Sequence, residues 1–219
     1  MTAHFVHMLE ELRRRSLRMA SLVEDVIQEA CEALFESNKA LASRVIERDA
    51  EVDTEEVKVE SEVIRLLALY QPVGSDLRLL CAILKVNNDL ERIADCGVNI
   101  AERARHLEPD IVTTHMENIR PMEPIVRRML RNAIQAYGHQ DNGIARQVYT
   151  DEEAVDALYG QVIRGIVDQT AKSPEMMASI LDALSVAKNF ERIADHATNV
   201  AEDVVFLTTG EIVRHRRHP

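Results

Sequence analysis

The stretch Leu90-Glu91-Arg92-Ile93-Ala94-Asp95 returns one hundred residues later as Phe190-Glu191-Arg192-Ile193-Ala194-Asp195. The match continues as far as Glu102 and Glu202, so the chain contains an internal repeat. Both copies carry Glu, Asp, Asn and Glu at spacings i, i+4, i+8 and i+11, which a helix confines to an arc of about 80°. Each copy therefore predicts one acidic row along a helix.

The acidic row prolongs an apolar line on the same helix. Leu80 and Leu84 project within about 20° of Glu91, and Ile180 and Leu184 hold these places before Glu191. Charged residues roughly 100–160° away predict the solvated side of the helix. These are Arg78, Lys85, Asp89, Arg92 and Arg103. The row thus lies at the edge of a helix contact, where carboxylates lose water and need a compensating partner.

The composition is typical of an all-α protein. The chain has seven glycines, six prolines, no tryptophan and 4% aromatic residues, and it carries a net charge of −11. This charge argues against nucleic acid as a partner, because phosphate backbones require a basic surface. We interpret two basic spots, Arg13–Arg15 and Arg214–Arg217, as solvated surface.

Cellular location is predicted from what the chain lacks. We expect no signal peptide, since no segment resembles one, and no apolar run approaches the roughly twenty residues that a membrane span needs. Three cysteines, without metal-site spacing, are interpreted as small buried hydrophobes in a reducing compartment. They are Cys31, Cys81 and Cys96. We expect a soluble, cytoplasmic protein.

Helical periodicity and turn residues divide each half of the chain into three helices. Breaks at Ser37-Asn38 and Gln71–Gly74 separate the first three, and Asp141–Gly143 and Ser173-Pro174 separate the last three. Pro109-Asp110 marks the boundary between the halves. The prediction is two tandem three-helix bundles, with domains at 1–108 and 109–219.

The second helix of each half also repeats, at an offset of 103 residues. Asp49 and Asp53 correspond in this way to Glu152 and Asp156. Each half therefore has one carboxylate pair on its second helix and one on its third. Because consecutive helices of a bundle are neighbours, we expect the two pairs of each half to meet at a shared groove.

Four carboxylates at one groove repel each other, by about 4 kcal/mol for two charges 4 Å apart at an effective dielectric near 20. A cation would relieve this, and Asn99 or Asn199 could add an amide oxygen. An all-oxygen set suits Mg²⁺, Mn²⁺, Ca²⁺ or iron and is poor for zinc. The alternative is a surface network of ion pairs neutralised by Arg92, Arg192 and their neighbours.

Catalytic machinery is not visible in the sequence, so we predict no enzyme. A carboxylate-bridged di-metal enzyme of the ferritin-like type would need Glu-x-x-His on two helices, and the chain has none. His196 follows Asp195 without a counterpart, since the first copy has Cys96; the histidines are interpreted as surface residues. A phosphate-cradling glycine loop and a nucleophile elbow are also missing. The enzyme and a metal-free helical scaffold stay as alternatives.

Two segments resemble the PhoU family, and the likeness covers essentially the whole chain. They are Gln71-Pro72-Val73-Gly74-Ser75-Asp76-Leu77-Arg78 and Asn88–Asp95, the latter with a second Glu-Arg-Ile-Ala-Asp in the other half. The family's usual glycine in this motif is Ala94 and Ala194 here, and the turn before the second motif helix is shortened. Neither departure removes a carboxylate.

The resemblance implies multinuclear metal clusters, iron in some members, held by the paired Glu/Asp-x-x-x-Asp motifs. By position these motifs comprise Asp49, Asp53, Glu91 and Asp95, then Glu152, Asp156, Glu191 and Asp195. It also implies a cytoplasmic, often homodimeric adaptor that reaches the membrane only through partners. Those partners would be the ATPase of the phosphate ABC transporter and the sensor histidine kinase of the phosphate two-component system, whose signalling it would hold down.

Overall fold

The computed structural model describes residues 3–107, 119–172 and 177–213. These residues form seven α-helices and no strand, so the predicted all-α fold is confirmed. The helices are α1 (Ala3–Phe35), α2 (Lys39–Glu47), α3 (Asp49–Tyr70), α4 (Gly74–His106), α5 (Met122–His139), α6 (Asn142–Lys172) and α7 (Met177–Thr209). None of the helices in the described ranges has an apolar stretch long enough to cross a bilayer.

At three of the predicted breaks, Ser37-Asn38, Gln71–Gly74 and Asp141–Gly143, helices end as expected. The fourth, Ser173-Pro174, lies outside the described residues. Asn38 caps α2 because its side-chain oxygen accepts from the backbone N–H of Leu41 at 3.0 Å. Gln71 ends α3 in the left-handed region, with φ 44°, and Gly74 opens α4 at φ 61°. Asp141 accepts from two backbone N–H groups at the start of α6, so this helix begins two residues earlier than predicted.

The predicted second helix is divided at Arg48, which was not expected. The backbone N–H of Arg48 is shared between the carbonyls of Arg44 and Val45, both at 3.1 Å, and this ends α2. The Arg48 side chain reaches Glu29 on α1 at 2.9 Å. Asp49 consequently lies in the first turn of α3, where the helix dipole favours a negative charge.

Each half is nevertheless a bundle of three long helical segments. In the first half, α2 and α3 together form the second segment. The two predicted bundles are therefore confirmed. The boundary between 108 and 109 stays a prediction, since it lies outside the described residues.

The two halves pack on each other through antiparallel helix pairs. Residues early in α4 meet residues late in α7, as shown by Lys85 Nζ 2.9 Å from Asp203 Oδ1 and by Arg103 Nη1 3.6 Å from Asp182 Oδ1. Helices α1 and α5 also run antiparallel and are in contact. Buried apolar residues of both halves form one continuous core.

This packing corrects the prediction that the charged side of α4 is solvated. Asp89 is only 5% exposed, and Lys85 forms its ion pair with α7 rather than reaching freely into water. The reason is that this side of α4 faces the other half of the molecule. Among the five charged residues predicted on this side, Arg92 is the one that stays exposed, with 48% of its side chain accessible.

His196 lies in the same α4–α7 seam and is not the surface residue that was predicted. Its Nδ1 donates to Asp89 Oδ1 at 2.7 Å, and Nδ2 of Asn199 donates to the same oxygen at 3.1 Å. In the other repeat, Asn189 takes the position of Asp89 and Cys96 takes the position of His196. This charged network therefore has no symmetric counterpart.

Replacing Asp89 by alanine should lower the free energy of unfolding by about 2–3 kcal/mol, because two donors lose a charged acceptor in a mostly buried place. Asp89→Asn keeps an acceptor oxygen and should cost about 1 kcal/mol or less. Urea unfolding of both variants measures the difference. Equal losses for the two substitutions would contradict a role for this acceptor in joining the halves.

Candidate metal centres

Each half carries one group of carboxylates, at the groove between its second and third helical segments. The first cluster comprises Asp49 and Asp53 of α3 with Glu91 and Asp95 of α4. The second cluster comprises Glu152 and Asp156 of α6 with Glu191 and Asp195 of α7. In both halves the two helices concerned pack directly against each other.

Within the first cluster, the carboxylates of one helix raise the pKa values of the carboxyl groups on the other. Burial is the main cause that raises the pKa of Asp49, followed by the charges of Asp53, Asp95 and Glu102. Burial likewise raises the pKa of Glu91, and Asp53 of the neighbouring helix adds to the rise. Since like charges raise a carboxyl pKa only from nearby, Asp49 lies near Asp95, and Glu91 lies near Asp53, across the two helices. Their joint role as ligands stays a prediction.

The second cluster shows the same mutual influence. Loss of water around its carboxylate raises the pKa of Asp195, and the charges of Glu191 and Asp156 raise it further. Burial followed by Glu191 raises the pKa of Asp156 on the facing helix. Burial also raises the pKa of Glu152, an effect that the neighbouring Thr198 hydroxyl partly offsets. These carboxyl groups therefore hold a proton more readily than free carboxyl groups do.

Each cluster already has one basic neighbour. Arg92 lies 3.2 Å from a Glu91 oxygen and 3.1 Å from an Asp95 oxygen. Lys188 lies 2.6 Å from Glu191 in the second cluster. Both basic side chains are 48% exposed, so these ion pairs are weak and easily opened. These pairs support the alternative of a surface ion-pair network. One basic side chain, however, does not neutralise the four carboxylates of a cluster.

The two predicted amide ligands behave differently. Asn99 donates from Nδ2 to the backbone oxygen of Asp95 at 2.8 Å, which leaves Oδ1 as its only ligand atom for a cation. Asn199 instead donates to Asp89 in the α4–α7 seam. The internal symmetry of the sequence is therefore broken at this position.

Three further carboxylates belong to the surroundings of the clusters and were not among the predicted ligands. Glu102 raises the pKa of Asp49, and Glu202, which is 8% exposed, raises the pKa of Glu152. Glu56 contributes to the raised pKa of Glu91. Glu102 and Glu202 end the repeated acidic row, so the repeat itself was the signal that could have added them.

The donor chemistry fits a hard, oxygen-seeking cation. The ten predicted ligands offer carboxylate and amide oxygens, which are the ligands of Mg²⁺, Ca²⁺ and Mn²⁺. Burial raises the pKa of the Cys96 thiol to about 11, so this neighbour supplies no thiolate. In the described part of the chain, no three His, Cys, Asp or Glu side chains enclose one point closely enough to hold an ion as they stand. Binding therefore requires carboxylates to turn inward and Arg92 and Lys188 to move aside.

Comparison with known proteins matches this architecture twice along the chain. The family model described as the PhoU domain matches residues 16–104 and again residues 119–204. The chain belongs to the PhoU family. Each matched segment of this PhoU-family chain contains one acidic cluster.

Relatives of similar length support the assignment. The chain is 39% identical over 208 residues to the phosphate-specific transport system accessory protein PhoU homolog of Aquifex aeolicus, covering 95% of this chain and 94% of the relative. A homolog of the same description from Zymomonas mobilis is 35% identical, with coverages of 94% and 86%. The likeness therefore extends over nearly the whole PhoU-family chain.

Solved structures show the same fold. The crystal structure of PhoU from Pseudomonas aeruginosa is similar with a TM-score of 0.88 and 32% identity, covering 94% of this chain and 100% of that one. The phosphate transport system regulatory protein PhoU from Streptococcus pneumoniae gives a TM-score of 0.87 at 28% identity, with coverages of 95% and 99%.

Proposed function

We propose that this chain is an accessory and regulatory protein of phosphate uptake, acting as an adaptor rather than as an enzyme. The observation that carries the proposal is the full-length similarity to proteins described as accessory proteins of a phosphate-specific transport system. The fold suits this role, because a bundle of long helices offers extended outer faces to other proteins.

The adaptor would work in the cytoplasm, as a homodimer, between two membrane proteins. We propose the ATPase of a phosphate ABC transporter and the sensor histidine kinase of a phosphate two-component system as its partners. When phosphate is plentiful the chain would restrain both transport and phosphate-starvation signalling, which makes it a negative regulator. Its own contact with the membrane would be indirect.

We further propose that both clusters bind metal ions, with iron first and Mg²⁺, Mn²⁺ or Ca²⁺ as alternatives. Carboxylates of the facing helices would supply the ligands, with Asn99 as an added amide oxygen in the first half. A bound cation would supply positive charge and coordination positions for an external oxygen, such as one from phosphate or from a partner's carboxylate. The carboxylates with raised pKa release protons on binding, so metal occupancy should fall in acid.

A metal-free helical scaffold is the second candidate, and a specific observation favours it. Arg92 and Lys188 already contact the carboxylates of their clusters, so each groove has a protein cation of its own. In that case the clusters would be ion-pair networks that fix the helix packing. The carboxylate-bridged enzyme has no comparable support, since the described part of the chain brings no histidine into a cluster as a ligand.

Deleting the gene in the source organism should raise a phosphate-starvation reporter several-fold in phosphate-rich medium, because restraint of the kinase is lost. Re-expression of the wild-type chain should restore low reporter activity. Reporter assays in rich and in phosphate-limited medium measure both effects. A reporter that stays silent in the deletion strain would contradict the regulatory role.

A further inference from the structure

A groove of about 370 Å³ lies between α1 and α3, away from both acidic clusters. Arg14, Arg15 and Arg18 of α1 line one side of it. Their spacing of one, three and four residues places the three side chains together on one helix face. A basic surface of this kind is unusual in a chain with a net charge of −11.

The carboxylates across this groove are already bound by other basic residues. Glu62 is held by Arg65 through two hydrogen bonds of 2.6 and 2.9 Å. Glu55 accepts from Lys58 at 2.6 Å. Both partners lie three residues further along α3, so these carboxylates are compensated within their own helix.

The arginines are consequently left with weak contacts. Arg15 reaches Glu55 only at 3.7 Å, and Arg14 reaches Glu10 only at 3.7 Å on the exposed surface. Arg18 lowers the pKa of Glu55 by its charge but forms no ion pair within 4 Å in the described ranges. By contrast Arg13, the remaining member of the basic spot, donates to a backbone carbonyl of α5 at 2.8 Å and belongs to the fold. The groove therefore keeps guanidinium donors that the chain itself does not saturate.

One end of the groove is apolar. Half-buried Met8 lines it. Helices α1 and α3 run antiparallel here, because Phe5 contacts Tyr70, with ring centroids 4.9 Å apart, whereas the later residue Arg15 lies near the earlier Glu55. Leu69 lies two turns beyond Glu62 on the same face of α3 and is 64% exposed. A short apolar surface, formed by Met8 and Leu69, thus adjoins the arginines.

We propose that this groove binds an acidic, amphipathic helical segment of a partner protein. Carboxylates of the segment would pair with the arginines, and its apolar side chains would cover Met8 and Leu69. Charge complementarity favours this occupant. A free phosphate ion fits less well, since it offers no apolar surface to Met8. The proposal rests on the proposed adaptor role and gives the chemistry of one partner-facing surface.

Fluorescence anisotropy can test the groove with a fluorescein-labelled amphipathic peptide in which glutamate and leucine follow helical spacing. Wild-type protein should bind it with micromolar affinity at low ionic strength. The variant Arg14→Gln, Arg15→Gln, Arg18→Gln should bind about tenfold or more weakly, because charge-assisted contacts are removed. Circular dichroism should show unchanged helix content, since these side chains lie at the surface.

Two controls separate the groove from general charge effects. Arg44→Gln, Arg105→Gln, Arg164→Gln removes the same charge from exposed arginines elsewhere and should bind like the wild type. Arg14→Lys, Arg15→Lys, Arg18→Lys keeps the charge and should retain most of the affinity. A peptide with glutamine in place of glutamate should bind neither protein well.

Several results would overturn the proposal. The first is that the wild type does not bind the peptide. The second is that the control variant with three substitutions loses as much affinity as the groove variant. The third is that inorganic phosphate displaces the peptide more than sodium chloride does at matched ionic strength. Self-association that disappears in the groove variant would show that a second copy of the chain is the occupant. None of these results would affect the reporter assay, so failure of the groove and failure of the adaptor role are distinguishable.

Discussion

Replacing Asp95 and Asp195 by asparagine together should remove most of the metal that purifies with the chain, while helix content stays unchanged. One ligand charge is lost from each cluster, and hard cations depend on ligand charge. Loss of even an outer partner of a metal site costs about 10–100-fold in affinity, so loss of a ligand should cost at least that much. Elemental analysis of protein purified without chelator measures the change.

The matched control is Asp25→Asn with Glu32→Gln, which removes two exposed carboxylates of α1 that belong to neither cluster. It should keep wild-type metal content. Equal metal content in the Asp95/Asp195 variant would refute the site assignment. A wild-type protein without stoichiometric metal would support the scaffold alternative instead.

The same variant has a second readout in the presence of chelator. The folded-state pKa of Asp195 is raised by burial and like charge, so the folded chain binds more protons than the unfolded one. The stability that this group contributes is complete below its unfolded pKa near 4 and is lost as pH rises through the folded pKa. At neutral pH without metal, the variant should therefore be at least as stable as the wild type.

Replacing Phe190 by alanine should lower the free energy of unfolding by about 3–5 kcal/mol. The ring is fully buried, and it stacks on Phe35 of the other half with centroids 6.4 Å apart. Because the cavity would open between the halves, both should lose stability together. Chemical denaturation followed by circular dichroism should show a single transition at lower denaturant concentration.

Leu181→Ala on the same helix is the control, since this side chain is 54% exposed and should change stability by no more than about 0.5 kcal/mol. Two separate transitions in the Phe190 variant would contradict a shared core. A loss near that of the control would show that the two rings contribute little to joining the halves.

The sequence anticipated much of the candidate site because its signals are local. The spacing of Glu91 and Asp95, repeated in Glu191 and Asp195, depends only on helix geometry, and so it survives in the structure. The break at Arg48 was missed because both flanking segments keep the helical period. Glu102 and Glu202 also belong to the repeated row, but only the packing of the facing helix brings their charges near Asp49 and Glu152.

The sequence by itself determined that the chain is helical, that it consists of two related halves, and that each half carries an acidic row beside an apolar line. These properties follow from the 3.6-residue period and from the repeat. Only the tertiary structure decided which charged residues are buried. Asp89 and His196 meet across the α4–α7 seam because two distant helices pack there, and a residue's loss of water depends on neighbours that its own helix does not specify.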